Sequence, residues 1–386
     1  MDISQILNHL GEEREEYYGA VAPPIFQTSN FCFPDVKTMR EKLKHEMETP
    51  FYTRGYNPTV AALRKKVAAL EGAEDALVFA SGSGAIASAV MSVVKNGDHA
   101  ICVQKPYSWT GNLLSKYLIH YGVEHTFVDG ADAENFRKAI KSNTKLIYLE
   151  SPNSLTFEMQ DISAVVKIAK EKNIVTMIDN SYNTPINQNP IKLGVDVVIH
   201  SASKYLNGHS DVVAGVVCST HERILKMMSI EYMTLGAIIS PHDAWLMMRG
   251  LRTLEIRANR SCESAKTVVE FLETHPKIEK VIYPFSKNNP QLEIAKKQMK
   301  RGGGLLTIML KAKDEKQVEV FCDSLKTFLL ATSWGGHESL AFPMCALAAS
   351  RSFENKPMPW NLVRLYIGLE DANVLIEDLK QALDKV

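Results

Sequence analysis

The segment Ser201-Ala-Ser-Lys-Tyr-Leu-Asn-Gly-His209 constrains this chain more tightly than any other stretch. Val195–His200 precedes it as a short β-branched run, the pattern of a buried strand, and Val212–Cys218 follows as another. Lys204 therefore falls just beyond the end of a buried strand. Lysine is almost never fully buried without a partner, and burial lowers its pKa towards that of a nucleophilic amine. By itself a Ser-x-Ser-Lys sequence describes an exposed turn. A second apolar run upstream, Ile174–Asn180, changes that reading because it carries Asp179 at its end.

A lysine able to form a Schiff base, with an aspartate at a neighbouring strand end, is the protein's half of pyridoxal 5'-phosphate chemistry. The amine holds the aldehyde, and the carboxylate keeps the pyridine nitrogen protonated so that the ring accepts electrons. Ser201 and Ser203 are then placed to donate hydrogen bonds to the phosphate.

The order of elements around that pair predicts an α/β architecture. Asp75–Ala80, Asp98–Val103, Val123–Asp129 and Thr144–Glu150 read as strands, separated by helices over Ala85–Val94, Ala133–Ile140 and Asp161–Lys172. In the last of these Ile162, Val165, Val166 and Ala169 share one face. Strands alternating with such helices form a mostly parallel sheet covered on both faces, and ligands gather at its carboxyl edge. Gly82, Tyr107, Ser154, Asp179 and Lys204 all fall at or just beyond predicted strand ends. Ser81-Gly-Ser-Gly84 opens a helix, where backbone N–H groups point at an anion.

Residues 1–55 read as an arm, with Pro23 and Pro24 in an extended segment and Tyr52 and Arg54 pointing the same way by strand alternation. Pro58 opens a helix through Leu70. Residues 56–240 form the large domain and 241–386 a smaller α+β domain. In the latter, Pro241–Ser264 is a long helical link, and Gly302–Leu310, Leu329–Ser333 and Val363–Gly368 are strands. Helices are expected over 315–327 and 371–384. Arg364 lies in an apolar strand, where an unpaired guanidinium is costly; it must meet either a structural carboxylate or a substrate carboxylate held bidentate.

The chain has 44 basic and 44 acidic residues, which gives no electrostatic reason to expect nucleic acid or an anionic membrane as partner. Six scattered cysteines without paired spacing argue for a reducing compartment, against a disulfide framework and against a zinc site. The start of the chain lacks a signal-peptide pattern and no apolar run is long enough to span a bilayer, so a cytoplasmic protein is expected.

Taken together, Ile178-Asp-Asn180, Ser201 to Asp211, Arg249-Gly-Leu-Arg-Thr-Leu254 and Ser333-Trp-Gly-Gly-His-Glu-Ser339 stand in one order. In that order the chain resembles the Cys/Met-metabolism pyridoxal-phosphate enzymes, from about Ala22 to Asp371. The resemblance implies the type I fold of pyridoxal-phosphate transferases, with a seven-stranded large-domain sheet. It implies that Lys204 is the Schiff-base lysine and proton shuttle, Asp179 the partner of the pyridine nitrogen and Tyr107 the ring stacked on the cofactor. Gly82, Ser83, Ser154, Ser201 and Ser203 would complete the cofactor site. Tyr52 and Arg54 would reach the cofactor phosphate of a neighbouring subunit, Tyr52 also facing the substrate, in an active-site dimer that pairs into a tetramer. Arg364, Ser333 and Trp334 would hold a small sulfur-containing amino acid.

The same resemblance points to carbon–sulfur cleavage in transsulfuration and methionine metabolism. Ser154, where many γ-acting relatives carry asparagine, and Trp334 resemble the cystathionine β-lyases. Thr332 replaces the glutamate usual in cystathionine γ-acting enzymes, and Trp109 the cysteine of methionine γ-lyases. The lysine segment itself is closer to the γ-lyase form, and Ala341–Ala348 matches no subgroup. The expected reaction is β-elimination of cystathionine or a similar cysteine S-conjugate. Alternatives are γ-synthase, γ-lyase or methionine γ-lyase chemistry, a type I aminotransferase, and a non-catalytic regulatory protein with this fold.

Overall fold

In the computed structural model, residues 1–347 and 358–386 are described. The large sheet contains β1 (Asp75–Phe79), β2 (His99–Val103), β3 (Glu124–Val128), β4 (Thr144–Glu150), β5 (Val175–Asp179), β6 (Val197–Ser201) and β7 (Gly215–Ser219). Their order is β1-β7-β6-β5-β4-β2-β3, so the expected seven strands are present. Strands β3, β2, β4, β5 and β6 run parallel, whereas β7 is antiparallel to both β6 and β1. A parallel neighbour requires a crossover, and residues 202–214 between β6 and β7 contain no helix. That connection is the lysine segment.

Helices cover both faces of this sheet, which is why β2, β4 and β5 are buried almost throughout. Helix Pro58–Glu71 begins at Asn57, whose side chain accepts from Thr59 N–H, and ends at left-handed Gly72. Helix Ile162–Lys170 is capped by Asp161 and buries the expected apolar face. The N-terminal residues depart from a purely extended arm. Helix Ile3–Asn8 buries Ile6 and Leu7 against the large core. There the fully buried Lys66 ammonium donates to the Ile6 and Leu7 carbonyls and pairs with Glu12 at 3.0 Å. That anchor holds the start of the chain on its own domain.

The second sheet has order β10-β11-β12-β9-β8. Its strands are β8 (Ile278–Ile282), β9 (Leu305–Leu310), β10 (Leu329–Leu330), β11 (Leu340–Pro343) and β12 (Leu362–Tyr366). β8 and β11 were not anticipated: β8 carries a register shift after Ile278, and β11 is four residues ending in proline. Helices Glu315–Ser324 and Ala372–Leu383 lie close to their expected positions, the former ending three residues early. The long link is two helices, Pro241–Leu251 and Leu254–Thr274, broken at Arg252-Thr253. Beside the break the Arg257 guanidinium donates to the Gly250 and Tyr205 carbonyls. Leu254 belongs to the first apolar core and Ala265 to the second, so the two cores meet along this helix.

Candidate active site

The carboxyl ends of β4, β5 and β6 open into a cleft of about 1080 Å³, closed on the other side by Ser333, Trp334 and Arg364. Lys204 lies in the turn after β6, its N–H donating to the Ser201 carbonyl. Its Nζ stands 2.5 Å from Ser333 Oγ and over the Trp334 ring at 5.6 Å. Burial, together with the nearby Arg364 charge, lowers the amine to about 8, against an opposing pull from Asp179. A half-buried lysine with that pKa is an amine available as nucleophile and base near neutrality.

Asp179 ends β5 and is buried. Its Oδ1 accepts from Ser181 N–H at 2.9 Å and Ser181 O–H at 2.5 Å, while Oδ2 takes no partner among the described residues. Burial raises this carboxyl, and the Ser181 bonds with the His200 and Lys204 charges pull it back. Ser181 Oγ in turn accepts from Ser201 N–H at 2.6 Å, tying the ends of β5 and β6. Ser181 was not foreseen; its position two residues beyond Asp179 carries no motif.

Helix Gly82–Met91 starts at Ser81, which accepts from Gly84 N–H, so the N–H groups of Gly82 and Ser83 face the cleft mouth. A Cβ on Gly82 would stand 3.1 Å from the Ser201 Cα, and the missing side chain lets the helix start approach the lysine segment. Ser201 lines the cleft beside it. The Ser203 hydroxyl accepts from Ala214 N–H at 2.9 Å and donates to the Ala214 carbonyl, so it also closes the lysine loop.

Tyr107 follows β2 and lines the cleft; burial raises its phenol, which therefore stays protonated. Its backbone N–H donates to Glu150 Oε2 at 2.6 Å, a carboxylate that sequence reading passed over. The signal was available, since Glu150 ends β4 in register with Asp179 on β5.

Arg364, on β12, donates to the Ser154 carbonyl at 3.3 Å and the Ser333 carbonyl at 3.4 Å, and lies over the Phe342 ring at 5.2 Å. No carboxylate pairs with it among the described residues. Burial alone lowers it to about 10. Ser333 itself has φ 77°, a strained position for a side chain other than glycine. Next to it, Gly335 has φ 88°, and a Cβ there would lie 2.9 Å from Lys204 Cα.

Tyr52 and Arg54 require a correction in geometry. Tyr52 bridges Asn30, then Thr53–Gly55 form a turn that brings the Arg54 guanidinium over the Tyr52 ring at 5.4 Å. The turn, and not strand alternation, puts them on one side. Both are exposed and neither lines this chain's own cleft. Trp109, Thr332, Phe342, Met344 and Leu347 do line it, while Ala348 lies outside the described residues.

These groups fit pyridoxal phosphate: an amine for its aldehyde, an aspartate with a free oxygen for its ring nitrogen, and a helix start with a glycine cradle for its phosphate. Fold and site together define a type I pyridoxal-phosphate enzyme. The family described as Cys/Met metabolism PLP-dependent enzyme matches residues 4–384, and the chain belongs to it. Among its relatives, the L-methionine gamma-lyase of Fusobacterium nucleatum subsp. nucleatum is 40% identical, the match covering 96% of this chain and 95% of that protein. The cystathionine beta-lyase of Lactococcus lactis subsp. cremoris is 38% identical over 98% of this chain and 97% of that protein. The crystal structure of metB from Corynebacterium glutamicum superposes with a TM-score of 0.92 at 38% identity, covering 100% of this chain and 98% of that one. At this level the chain is a pyridoxal-phosphate-dependent carbon–sulfur lyase of Cys/Met metabolism. No helix among the described residues is long and apolar enough to cross a membrane.

Proposed function

We propose that the enzyme eliminates the sulfur substituent from Cβ of cystathionine or another cysteine S-conjugate. The products are a thiol, pyruvate and ammonia, with one water consumed. The observation that supports this reading is the Lys204 amine, lowered by burial and by the Arg364 charge, in a cleft that Ser154 and Trp334 also line. Pyridoxal phosphate, when bound, supplies an electron-accepting ring conjugated to the substrate's Cα.

The chain's own residues do the rest. Arg364 and Ser333 receive the substrate carboxylate, Arg364 from a half-buried position where a charged partner replaces two carbonyl contacts. Asp179 would keep the ring nitrogen protonated, its Oδ1 being already held by Ser181. Lys204 would hold the cofactor aldehyde and, as an amine lowered to about 8, would serve as the base for the Cα proton. Tyr107 is a protonated phenol at the cleft wall, suited to donate to the departing thiolate. Ser154 and Trp334, which carry the resemblance to β-lyases, both stand at the substrate end, one on Arg364 and one on Lys204.

A second reading, γ-elimination on methionine, is favoured by a different observation. Several relatives bear the name L-methionine gamma-lyase, and the cleft wall at Trp109, Phe342, Met344 and Leu347 is apolar, as a methylthioether requires. Tyr52 and Arg54, exposed and away from their own cleft, support a site completed by a second copy of the chain. A product assay with cystathionine separates the readings. Pyruvate with homocysteine supports Cβ cleavage; 2-oxobutyrate, from cystathionine or from methionine, moves the assignment to Cγ.

A further inference from the structure

Glu150 is a buried carboxylate that none of the steps above uses. It has no cationic partner among the described residues, and an uncompensated buried carboxylate is costly. Both of its oxygens are nevertheless occupied. Oε2 accepts from Tyr107 N–H at 2.6 Å, and Oε1 accepts from Ser154 N–H at 3.1 Å. These two amides belong to different loops, one after β2 and one after β4. Each loop carries something the reaction needs. Tyr107 presents its ring and phenol to the cleft, and the Ser154 carbonyl accepts from Arg364 Nη1 at 3.3 Å. One carboxylate therefore joins the ring on the cofactor side to the arginine on the substrate side.

The retention of an acid here is itself informative. Asp179 is its register partner on the next strand, so two carboxylates crowd one edge of the sheet. Burial, and then the Asp179 charge, push the Glu150 carboxyl up, against the pull of the two amides. A glutamine would fill the same space without that repulsion, but its single carbonyl oxygen can accept from only one of the two amides, and its NH₂ would face the other donor.

We propose that Glu150 is a positioning residue: by accepting from Tyr107 and Ser154 together, it fixes the Tyr107 ring and Arg364 at one mutual spacing. The inference rests on the roles given above to Tyr107 and Arg364. It predicts that the cofactor's environment and the binding of the substrate carboxylate loosen together when the double contact is broken.

The test uses Glu150→Gln in the holoenzyme, with Glu150→Asp as a companion that keeps the acid but is one methylene too short to reach both amides. Cofactor-band visible circular dichroism and KM for the amino-acid substrate are measured in both, and in each combined with Arg364→Lys. Altered dichroism at full cofactor occupancy, with KM raised about tenfold, is expected. The KM effect should vanish in the Arg364→Lys background, because it acts through that arginine. Unchanged dichroism and KM with only a lowered melting temperature would reduce Glu150 to a structural residue and overturn the proposal. Additive KM effects would overturn its link to Arg364. If Arg364→Lys alone leaves KM unchanged, the reading of Arg364 fails instead, and the dichroism still decides whether Glu150 holds Tyr107.

Discussion

Asp179, which is buried, and Arg364, which is half-buried, bring opposite charges to the cleft from different sheets, and they are prepared differently. Asp179 comes from the large sheet with one oxygen already bound twice by Ser181, which is itself tied to Ser201. Arg364 comes from the small sheet, and among the described residues it has two long contacts to backbone carbonyls and the Phe342 ring beneath it. A carbonyl offers a partial charge where a guanidinium is best met by a full carboxylate. The cofactor half is thus assembled before any ligand arrives, whereas the substrate half holds no anion on Arg364 among the described residues. Preorganisation sits on the large domain and specificity is left to the small one.

The sharpest way to break that contrast is to remove the cofactor's anchor. Lys204→Ala should lower kcat by about 10⁴-fold, the upper range for loss of a proton-transferring group, and eliminate the covalently held cofactor spectrum. Retention of activity within tenfold of the parent would show that another base exists. Asp179→Asn comes next, at about 10³-fold in kcat with little change in KM, because only the ring's ability to accept electrons is weakened. If KM moved instead, Asp179 would belong to substrate binding and the division between halves would be lost.

On the substrate side, Arg364→Lys should reduce kcat/KM by about 10²-fold, mostly through KM, as expected when a bidentate buried contact becomes a single one. An equal loss in kcat and none in KM would place Arg364 with the cofactor half. The amine of Lys204 allows a pH test of how far the large-domain half is prepared. Its pKa is lowered from 10.5 to about 8, so the neutral amine accumulates as pH rises through that value. Capture of pyridoxal phosphate by apoenzyme, followed by absorbance, should therefore quicken about tenfold between pH 7 and pH 9 and then level off. A continuing hundredfold rise over the same interval would mean an ordinary, solvated lysine. The smallest effect concerns the exposed pair: Arg54→Ala should weaken cofactor affinity about threefold to tenfold, as for one charge-assisted contact to a phosphate. Unchanged affinity would count against a contribution from a second copy.

Much of the large domain could be read from the chain alone, because its signals are local. β-Branched runs, helix caps such as Asn57 and Asp161, and the glycine loop at 82–84 each depend on a few neighbouring residues. Lys204 and Asp179 were legible for a similar reason: Asp179 ends a strongly apolar strand and Lys204 lies just beyond another, where a charged residue stands out. In the small domain, β8 and β11 escaped because one is irregular in register and the other is short and closed by Pro343. The Tyr52–Arg54 turn escaped because period-two alternation and a tight turn place those two side chains on the same side alike.

The sequence by itself determined that there is a parallel-type sheet with a lysine–aspartate pair at its carboxyl edge, since strand ends and residue types are properties of short segments. Only tertiary structure decided what those residues meet. Glu150 acquires its role from amides on two loops, Arg364 shows its missing anion only when every described neighbour is in place, and the Lys204 amine is lowered because the small domain buries it. Desolvation and hydrogen-bond geometry depend on what arrives from distant parts of the chain, and no local pattern encodes that.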